Sequence, residues 1–303
     1  MDAPLDNRAI AERLETFALL LELAEANPYS VRAYRRAAEL VRSTPADVAE
    51  VVRIGRVREL RGIGASIEAR LVELVETGRI EELEELERTV SPEVVGYGRY
   101  LGLSARRSLD AAQALGLRTA ADLARAVEDG TIRDAPGIGP KTAERLRAGL
   151  ERPPGEERSL LLPQARELLE GIAAALDGTV AGDVRRCVDA PRHLAVVAPA
   201  GLAERLAGAP GIVAVVERDE THAVGVTTEG LPVELVLAEP GAAGTALLRA
   251  TGAPAYVDGL APLPEAATEE AVYAALGIPF CPPELREEPF RGEPPALVEL
   301  ADV

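Results

Sequence analysis

Two copies of one short pattern constrain the fold of this chain more than any other feature. The stretch 60–71, LRGIGASIEARL, aligns without gaps on 135–146, APGIGPKTAERL, and the two share Gly, Ile, Gly, Arg and Leu. Glycine has no Cβ and tolerates a positive φ, so each Gly-Ile-Gly predicts a tight turn. Apolar residues after each turn recur at helical spacing. The repeat therefore predicts two turns that each open a helix.

The N-terminus of a helix exposes backbone N–H groups that carry a partial positive charge and favour an anion such as phosphate. The isoleucine between the glycines, Ile63 or Ile138, is expected to point back into the hairpin and hold the turn. This is the helix-hairpin-helix pattern, which positions a protein on DNA through the phosphates without reading base sequence. The alternative is a hairpin that only packs helices or binds another protein. The second copy favours DNA.

The residues predicted to bind DNA lie in the two turns, in the helical residues that follow, and in one earlier helical segment. They are Gly62, Ile63, Gly64, Ser66, Arg70, Gly137, Ile138, Gly139, Lys141, Thr142, Tyr34 and Arg35. Lys141 is the single lysine of the chain and would add a point charge at the second turn.

The overall charge opposes extensive DNA contact, because proteins carry excess positive charge where they touch phosphates. The formal net charge is −17, from 50 Asp and Glu against 33 Lys and Arg. The segment 28–70 is an exception, with nine arginines against five acidic residues. Acidic runs such as 81–85 and 284–288 are typical of solvated helix surfaces. The charge thus places any DNA contact in a small part of the chain.

The order of periodicities predicts an α+β chain with several domains. Helical spacing extends from Asn7 to about Arg88 and again over 91–150, with breaks at glycine and proline. Tandem prolines in 152–156 predict a linker, and a helix is expected over 160–176. Four β-rich runs then predict a mixed antiparallel sheet. They are 193–198, 212–216, 223–227 and 233–237.

Membrane and metal classes find little support in the sequence. No apolar run approaches the roughly 20 residues that span a bilayer, and the acidic start is unlike a signal peptide. A cytoplasmic location is therefore expected. Cys187 and Cys281 lie far apart without a second metal-ligand residue at suitable spacing, so each is predicted to be a structural, buried thiol.

The order of these parts resembles the polymerase core of bacterial family X DNA polymerases. The resemblance is carried by five groups of residues. They are 27–38 with 60–78, similar to the end-binding, lyase-type domain; 104–150, similar to the fingers, with a first hairpin eroded at 100–103; 182–186, similar to the start of the palm; Glu234; and Thr251-Gly252 with 271–286, similar to the later palm and thumb. Many bacterial relatives continue into a metal-dependent PHP phosphoesterase domain about where 297–303 lie.

The resemblance implies four domains. They are a helical lyase-like domain over 1–90, helical fingers over 91–152, a nucleotidyltransferase-like mixed β palm over 153–240 and a small thumb over 241–303. Two origins stay open for a chain of this extent, a stand-alone product or part of a longer protein.

The family's palm holds two magnesium ions with three aspartates, and this chain departs from that set. Counted without gaps, two of the positions fall at His193 and Ala195, and the third at Glu234. With a one-residue deletion the first two fall at Arg192 and Leu194. Neither register supplies a carboxylate, so two-metal phosphoryl transfer is predicted to be lost. An unorthodox metal site is the alternative, and its candidate ligands are Asp183, Asp189 and Glu234.

Other family positions are also altered. Asp183 replaces the serine that holds the triphosphate, and Ala253 and Val257 replace polar residues that contact the nucleotide. The resemblance still implies nucleotide contacts at Gly182, Arg185, Arg186, Thr251 and Gly252. The lyase lysine corresponds to Arg70, whose guanidinium stays protonated and forms no Schiff base, although it can bind a phosphate.

Three functions follow from this comparison. The first is a DNA-binding protein that acts on gapped or broken DNA in repair, with repair proteins as further partners and without polymerase or lyase activity. The second is an active gap-filling polymerase with a rearranged Mg²⁺ site. The third is a protein-interaction scaffold, motivated by the acidity. No cofactor is expected for the first, apart from a monovalent cation at the hairpin turns.

Overall fold

The computed structural model describes residues 5–151 and 159–289. The chain divides into two compact units, 1–148 and 149–303. Their charges differ: the first unit has 22 Lys and Arg against 25 Asp and Glu, and the second has 11 against 25. The second unit therefore carries −14 of the net charge of −17. The linker predicted over 152–156 lies outside the described residues, and the division into four domains stays a prediction.

The described part of the first unit is built from α-helices, as predicted. They are α1 (Asn7–Leu23), α2 (Pro28–Ser43), α3 (Val48–Arg53), α4 (Ala65–Thr77), α5 (Glu81–Thr89), α6 (Pro92–Tyr100), α7 (Ala105–Leu115), α8 (Ala120–Glu128) and α9 (Pro140–Leu150). Short 3-10 turns at Val57–Glu59 and Thr131–Asp134 precede α4 and α9.

Helix α1 illustrates how the pattern produces the core of this unit. Asp6 accepts a hydrogen bond from the N–H of Ala9 and so begins the helix. Buried apolar residues recur every three or four positions, at Ile10, Leu14, Phe17 and Leu21. The Phe17 ring meets the Tyr34 ring of α2 edge-on, with centroids 4.7 Å apart. The predicted helical periodicity is confirmed here.

The second unit combines a five-stranded sheet with five helices in its described part. The strands are β1 (Thr179–Ala181), β2 (Leu194–Pro199), β3 (Ile212–Arg218), β4 (His222–Thr227) and β5 (Pro232–Ala238). The helices are α10 (Leu162–Ala175), α11 (Gly182–Arg185), α12 (Ala243–Thr251), α13 (Pro254–Leu260) and α14 (Glu269–Leu276).

The sheet has the order β1-β2-β5-β4-β3. Strands β2 and β5 are parallel and place Ala195 opposite Glu234, and the other pairs are antiparallel. Side chains alternate between the faces. One face carries Leu194 and Val196 into a core with α10, whereas Ala195 and Glu234 belong to the other face. The mixed α+β fold is confirmed; β1, three residues long, was not predicted.

Two further expectations meet the structure differently. Cys281 is buried, with 3% of its surface exposed. Cys187 is exposed, so the prediction of a buried thiol is wrong there. Its φ of +60° turns the chain between α11 and β2, and this turn leaves the thiol at the surface. None of the helices in 5–151 and 159–289 combines the length and apolarity needed to cross a membrane.

Candidate nucleic-acid interface and palm site

The first Gly-Ile-Gly forms the turn that opens α4. Gly62 has φ +114°, a conformation that L side chains rarely adopt. Ile63 is buried, with 7% exposure, and its N–H donates to the carbonyl of Leu60 at 3.1 Å. Gly64, the residue before α4, has extended backbone, with φ −89° and ψ 172°. The isoleucine therefore closes the hairpin from inside while both glycines stay exposed.

The second copy has the same geometry before α9. Gly137 has φ +75°, and Ile138 is buried, with 4% exposure and its N–H on the carbonyl of Ala135 at 3.2 Å. Gly139 is exposed and leads into Pro140, which needs no hydrogen-bond acceptor at the first helical position. The sequence repeat is thus a structural repeat.

The helices that follow the two turns, α4 and α9, begin without the side-chain cap that most other helices of this unit have. Side-chain oxygens cap most other long helices of the first unit: Asp6, Asn27, Ser91, Ser104 and Thr119 act in α1, α2, α6, α7 and α8. Gly64 and Gly139 have no side chain that could do so. In the described chain the N–H groups of Ala65, Ser66 and Lys141 donate to no recorded acceptor. These N–H groups are available to an external anion.

Gly64 and Gly139 are also not required by the fold. Neither has a φ in the left-handed range, and a Cβ built on either one would meet no atom within 4 Å. Gly62 and Gly137 are different, because their positive φ disfavours any other residue. Open space in front of Gly64 and Gly139 permits close approach of a ligand.

The hairpin between α6 and α7 shows what the eroded pattern at 100–103 means. Gly102 has φ +91° and Leu103 is buried, so the turn itself is kept. Ser104 replaces the second glycine, and its hydroxyl accepts a hydrogen bond from the N–H of Arg107. This helix start is therefore satisfied by its own side chain.

The remaining predicted DNA contacts divide into free and engaged groups. Lys141 is exposed without an ion-pair partner in the described chain, and so is Arg61 beside the first turn. Tyr34 is buried, with its hydroxyl 3.2 Å from Ser66 Oγ, and Arg35 pairs with Glu22. The Thr142 N–H already donates to the carbonyl of Gly139.

Ion pairs also change the picture of the basic segment 28–70. Six of its nine arginines have carboxylate partners in the described chain; they are Arg35, Arg42, Arg53, Arg56, Arg58 and Arg70. Arg35, Arg42 and Arg70 pair with carboxylates from outside the segment, so these three contacts offset much of the charge excess read from the sequence. Two of the other pairs, Arg53–Glu50 and Arg56–Glu59, join residues three positions apart.

Of the two alignments with the family, the one without gaps selects residues on the same face of the sheet as Glu234. Ala195 pairs directly with Glu234 across β2 and β5, and His193 is two residues earlier on the same face. Leu194 points into the opposite core. The two positions that the gap-free alignment assigns to carboxylates, His193 just before β2 and Ala195 within it, hold an imidazole and a methyl group.

Glu234 lies between two histidines. His193 Nε2 is 2.6 Å from one carboxylate oxygen, and His222 Nε2 of β4 is 3.2 Å from the other. The hydrogen bond from His193 lowers the pKa of Glu234 despite partial burial, which raises it. Sequence reasoning missed His222, although it is one of only two histidines in the chain. The imidazoles satisfy a carboxylate that would otherwise need a cation or water.

Two carboxylates of the alternative metal site, Asp183 and Glu234, are hydrogen-bonded to protein groups. In the parts of the chain that the structure describes, no three His, Cys, Asp or Glu side chains are grouped to hold a metal ion. The Asp183 carboxylate accepts hydrogen bonds from Arg186 Nη2 at 2.7 Å and from the N–H groups of Arg192 and His193 at 2.7 and 2.9 Å. The Asp183 carboxylate is therefore engaged by protein groups, and the metal site built on Asp183, Asp189 and Glu234 stays a prediction.

The arginines among the predicted nucleotide contacts, Arg185 and Arg186, are engaged with protein groups. Besides Asp183, Arg186 binds Glu287 through Nε at 2.8 Å. Arg185 binds Thr251 Oγ1 at 3.0 Å and the carboxylate of Glu269 at 2.7 and 2.8 Å. The two glycines, Gly182 and Gly252, are sterically required, because a Cβ on either would lie within 3 Å of a neighbouring atom. The Asp183 carboxylate thus lies beside Arg186, where a phosphate of a nucleotide would otherwise bind.

Comparison with known proteins agrees with this architecture. Residues 5–80 match the model of the helix-hairpin-helix domain, and residues 102–152 match that of the SAM-like helix-hairpin-helix tandem. The chain is 24% identical over 228 residues to DNA polymerase/3′-5′ exonuclease PolX of Bacillus subtilis (strain 168), a match that covers 72% of this chain and 40% of that protein. The chain thus contains two regions that match helix-hairpin-helix models, and over most of its length it is similar to a family X DNA polymerase that is more than twice as long as the matched segment.

Proposed function

We propose that this chain binds the sugar-phosphate backbone of DNA through the turns Gly62–Gly64 and Gly137–Gly139. One observation carries the proposal: both turns end in an exposed glycine that the fold does not need and that leaves the following helix start open. Phosphate suits such a site because the N–H groups and the helix dipole favour an anion. Arg61 and Lys141 add one positive charge beside each turn. Such contacts position the protein without reading sequence.

The same proposal assigns no phosphoryl transfer to the palm-like unit. Two-metal catalysis requires ligands that hold two ions about 4 Å apart. His193 and Ala195 supply no carboxylate, and Glu234 is hydrogen-bonded to two imidazoles. Asp183 further neutralises Arg186, so a triphosphate would meet a carboxylate at the place where it needs a cation.

The chain is also proposed to lack lyase activity, because Arg70 cannot form a Schiff base. We propose instead a binding role at gapped or broken DNA during repair, with repair proteins as further partners. A gap suits backbone recognition because an interrupted duplex bends more easily than an intact one.

Fluorescence anisotropy with gapped and intact duplexes tests DNA binding. We expect binding to both at about 50 mM salt, and tighter binding to the gapped duplex. The logarithm of the association constant should fall with the logarithm of salt concentration with a slope of about −2, because Arg61 and Lys141 each neutralise about one phosphate. A chain that binds neither duplex at about 50 mM salt would contradict the proposal.

Primer extension tests the loss of polymerase activity. We expect no extension of a gapped primer with Mg²⁺ or Mn²⁺, since the ligands for two ions are missing. The control is an intact family X polymerase in the same assay. Extension that disappears in Glu234→Ala would establish the alternative of an active enzyme with a rearranged site.

The acidity of the second unit favours a second candidate, a protein-interaction module. Residues 149–303 contain 25 acidic against 11 basic residues, so this unit repels DNA and attracts basic surfaces. The two functions are compatible if the first unit binds DNA and the second a protein. Failure of DNA binding in the anisotropy assay would leave the interaction module as the better candidate.

A further inference from the structure

Arg70 is enclosed by carboxylates. Its two terminal nitrogens are engaged separately: Nη1 is 2.9 Å from Glu73 on the same helix, and Nη2 contacts Glu82 on α5. The Arg70 side chain is 31% exposed, so solvent screens these pairs only in part. Two carboxylates around one guanidinium leave this place with a net negative charge.

Glu73 is held in place by a second contact. Its other oxygen accepts a hydrogen bond from the N–H of Glu81 at 2.6 Å, at the first residue of α5. That backbone hydrogen bond, together with Arg70, lowers the pKa of Glu73 against the effect of burial. Glu73 is therefore ionised and fixed near neutral pH, and it cannot swing away from Arg70 without uncapping α5.

The whole of α5 extends this negative surface. Five of its nine residues are glutamates: Glu81, Glu82, Glu84, Glu85 and Glu87. Only Leu83 of this helix is fully buried, so the acidic side chains face solvent. A phosphate that approached Arg70 would have to come within a few Å of Glu82, where like charges repel.

Phosphates of DNA differ in charge. A terminal phosphate is a monoester with a charge of about −1.5 to −2 near neutral pH, as in a phosphorylated side chain. An internal phosphate is a diester with a single charge. The open helix start at Gly64, with Arg61 beside it, offers a few N–H groups and one cation, which suits a single charge.

We infer that the Arg70–Glu73–Glu82 cluster excludes terminal phosphates, so that this protein binds internal phosphodiesters and is indifferent to a 5′-phosphate at a gap. The inference rests on the proposed DNA binding. In this inference Glu82, which contacts Arg70 from α5, determines the specificity for internal over terminal phosphates through its negative charge.

The test compares two gapped duplexes that differ only in a 5′-phosphate or a 5′-hydroxyl at the gap, by anisotropy with the full chain. For the natural chain we expect dissociation constants that agree within about twofold, since neither terminus is contacted. A preference for the 5′-phosphate above about fivefold would overturn the inference. If neither duplex binds, the proposed function fails, and the inference with it.

Glu82→Lys provides the second arm. It removes one of the two carboxylates on Arg70 and adds a cation, so we expect at least about fivefold tighter binding of the 5′-phosphate duplex than of the 5′-hydroxyl duplex. Glu85→Lys makes the same charge change on α5 away from Arg70 and should strengthen binding of both duplexes equally. Circular dichroism checks that both variants fold; a misfolded Glu82→Lys is replaced by Glu82→Gln, for which a smaller preference of the same sign is expected. A Glu82 variant without phosphate preference would contradict the inference.

Discussion

Alanine at Gly64 and Gly139 together is expected to weaken DNA binding by about 100-fold while the protein stays folded. A Cβ at either position projects into the open space in front of an uncapped helix start, where the phosphate would lie. Each added methyl group keeps the phosphate from at least one charge-assisted hydrogen bond to a backbone N–H. Such a bond is worth about 1.5–3 kcal/mol, or about tenfold or more in affinity. The turns are separate sites, so their effects should add.

The stability of the same variants distinguishes a binding role from a structural one. Glycine to alanine at a position without positive φ stabilises a protein by about 0.4–1 kcal/mol, because the unfolded chain loses freedom. Anisotropy measures the affinity and urea unfolding the stability. Gly208→Ala, an exposed glycine with equal open space in the second unit, is the matched control and should leave affinity unchanged. Unchanged affinity in the Gly64/Gly139 double variant would contradict DNA binding at the turns.

Glutamine at Glu269 is expected to lower the free energy of unfolding of the second unit by about 3–5 kcal/mol, the usual effect of removing one partner from a buried ion pair. The Glu269 side chain is 5% exposed and binds both Arg185 and the fully buried Arg286. Arg286 also donates to the carbonyl of Cys281 at 2.9 Å and lies over the ring of Tyr273. Loss of the carboxylate leaves two arginines with uncompensated charge.

The pH dependence of this network has a defined sign. Burial raises the pKa of Glu269, but the hydrogen bonds from Arg185 and Arg286 outweigh burial and leave the pKa below its usual value. A lowered pKa in the folded state stabilises above the pKa of the unfolded chain, and this stabilisation is lost as pH falls through the folded value. Urea unfolding of the natural chain and Glu269→Gln should therefore converge in acid.

Glu270→Gln is the control for this experiment. Glu270 is the exposed neighbour of Glu269 on α14, so the same chemical change there should alter stability by less than about 0.5 kcal/mol. If Glu269→Gln and Glu270→Gln unfold at the same urea concentration, the network does not stabilise the unit as described.

Local sequence was enough to predict the hairpins, the helical first unit and the mixed sheet. Gly62 and Gly137 require positive φ, and Ile63 and Ile138 must be buried to close the turns. Such preferences act within a few residues, so a sequence pattern predicts them well. Strand alternation also places His193 and Ala195 on one face, the face of Glu234.

Only the tertiary structure decided which of the predicted residues are free. Arg35 and Arg70 are engaged by carboxylates 12 or 13 positions away, and His222 reaches Glu234 from another strand. Asp183 pairs with Arg186 through one carboxylate oxygen, and the turn before β2 holds the other oxygen with the N–H groups of Arg192 and His193. The sequence determined which groups exist and what local shape carries them. Their availability depended on side-chain pairing across separate elements, and such pairs form only when the core brings those elements together.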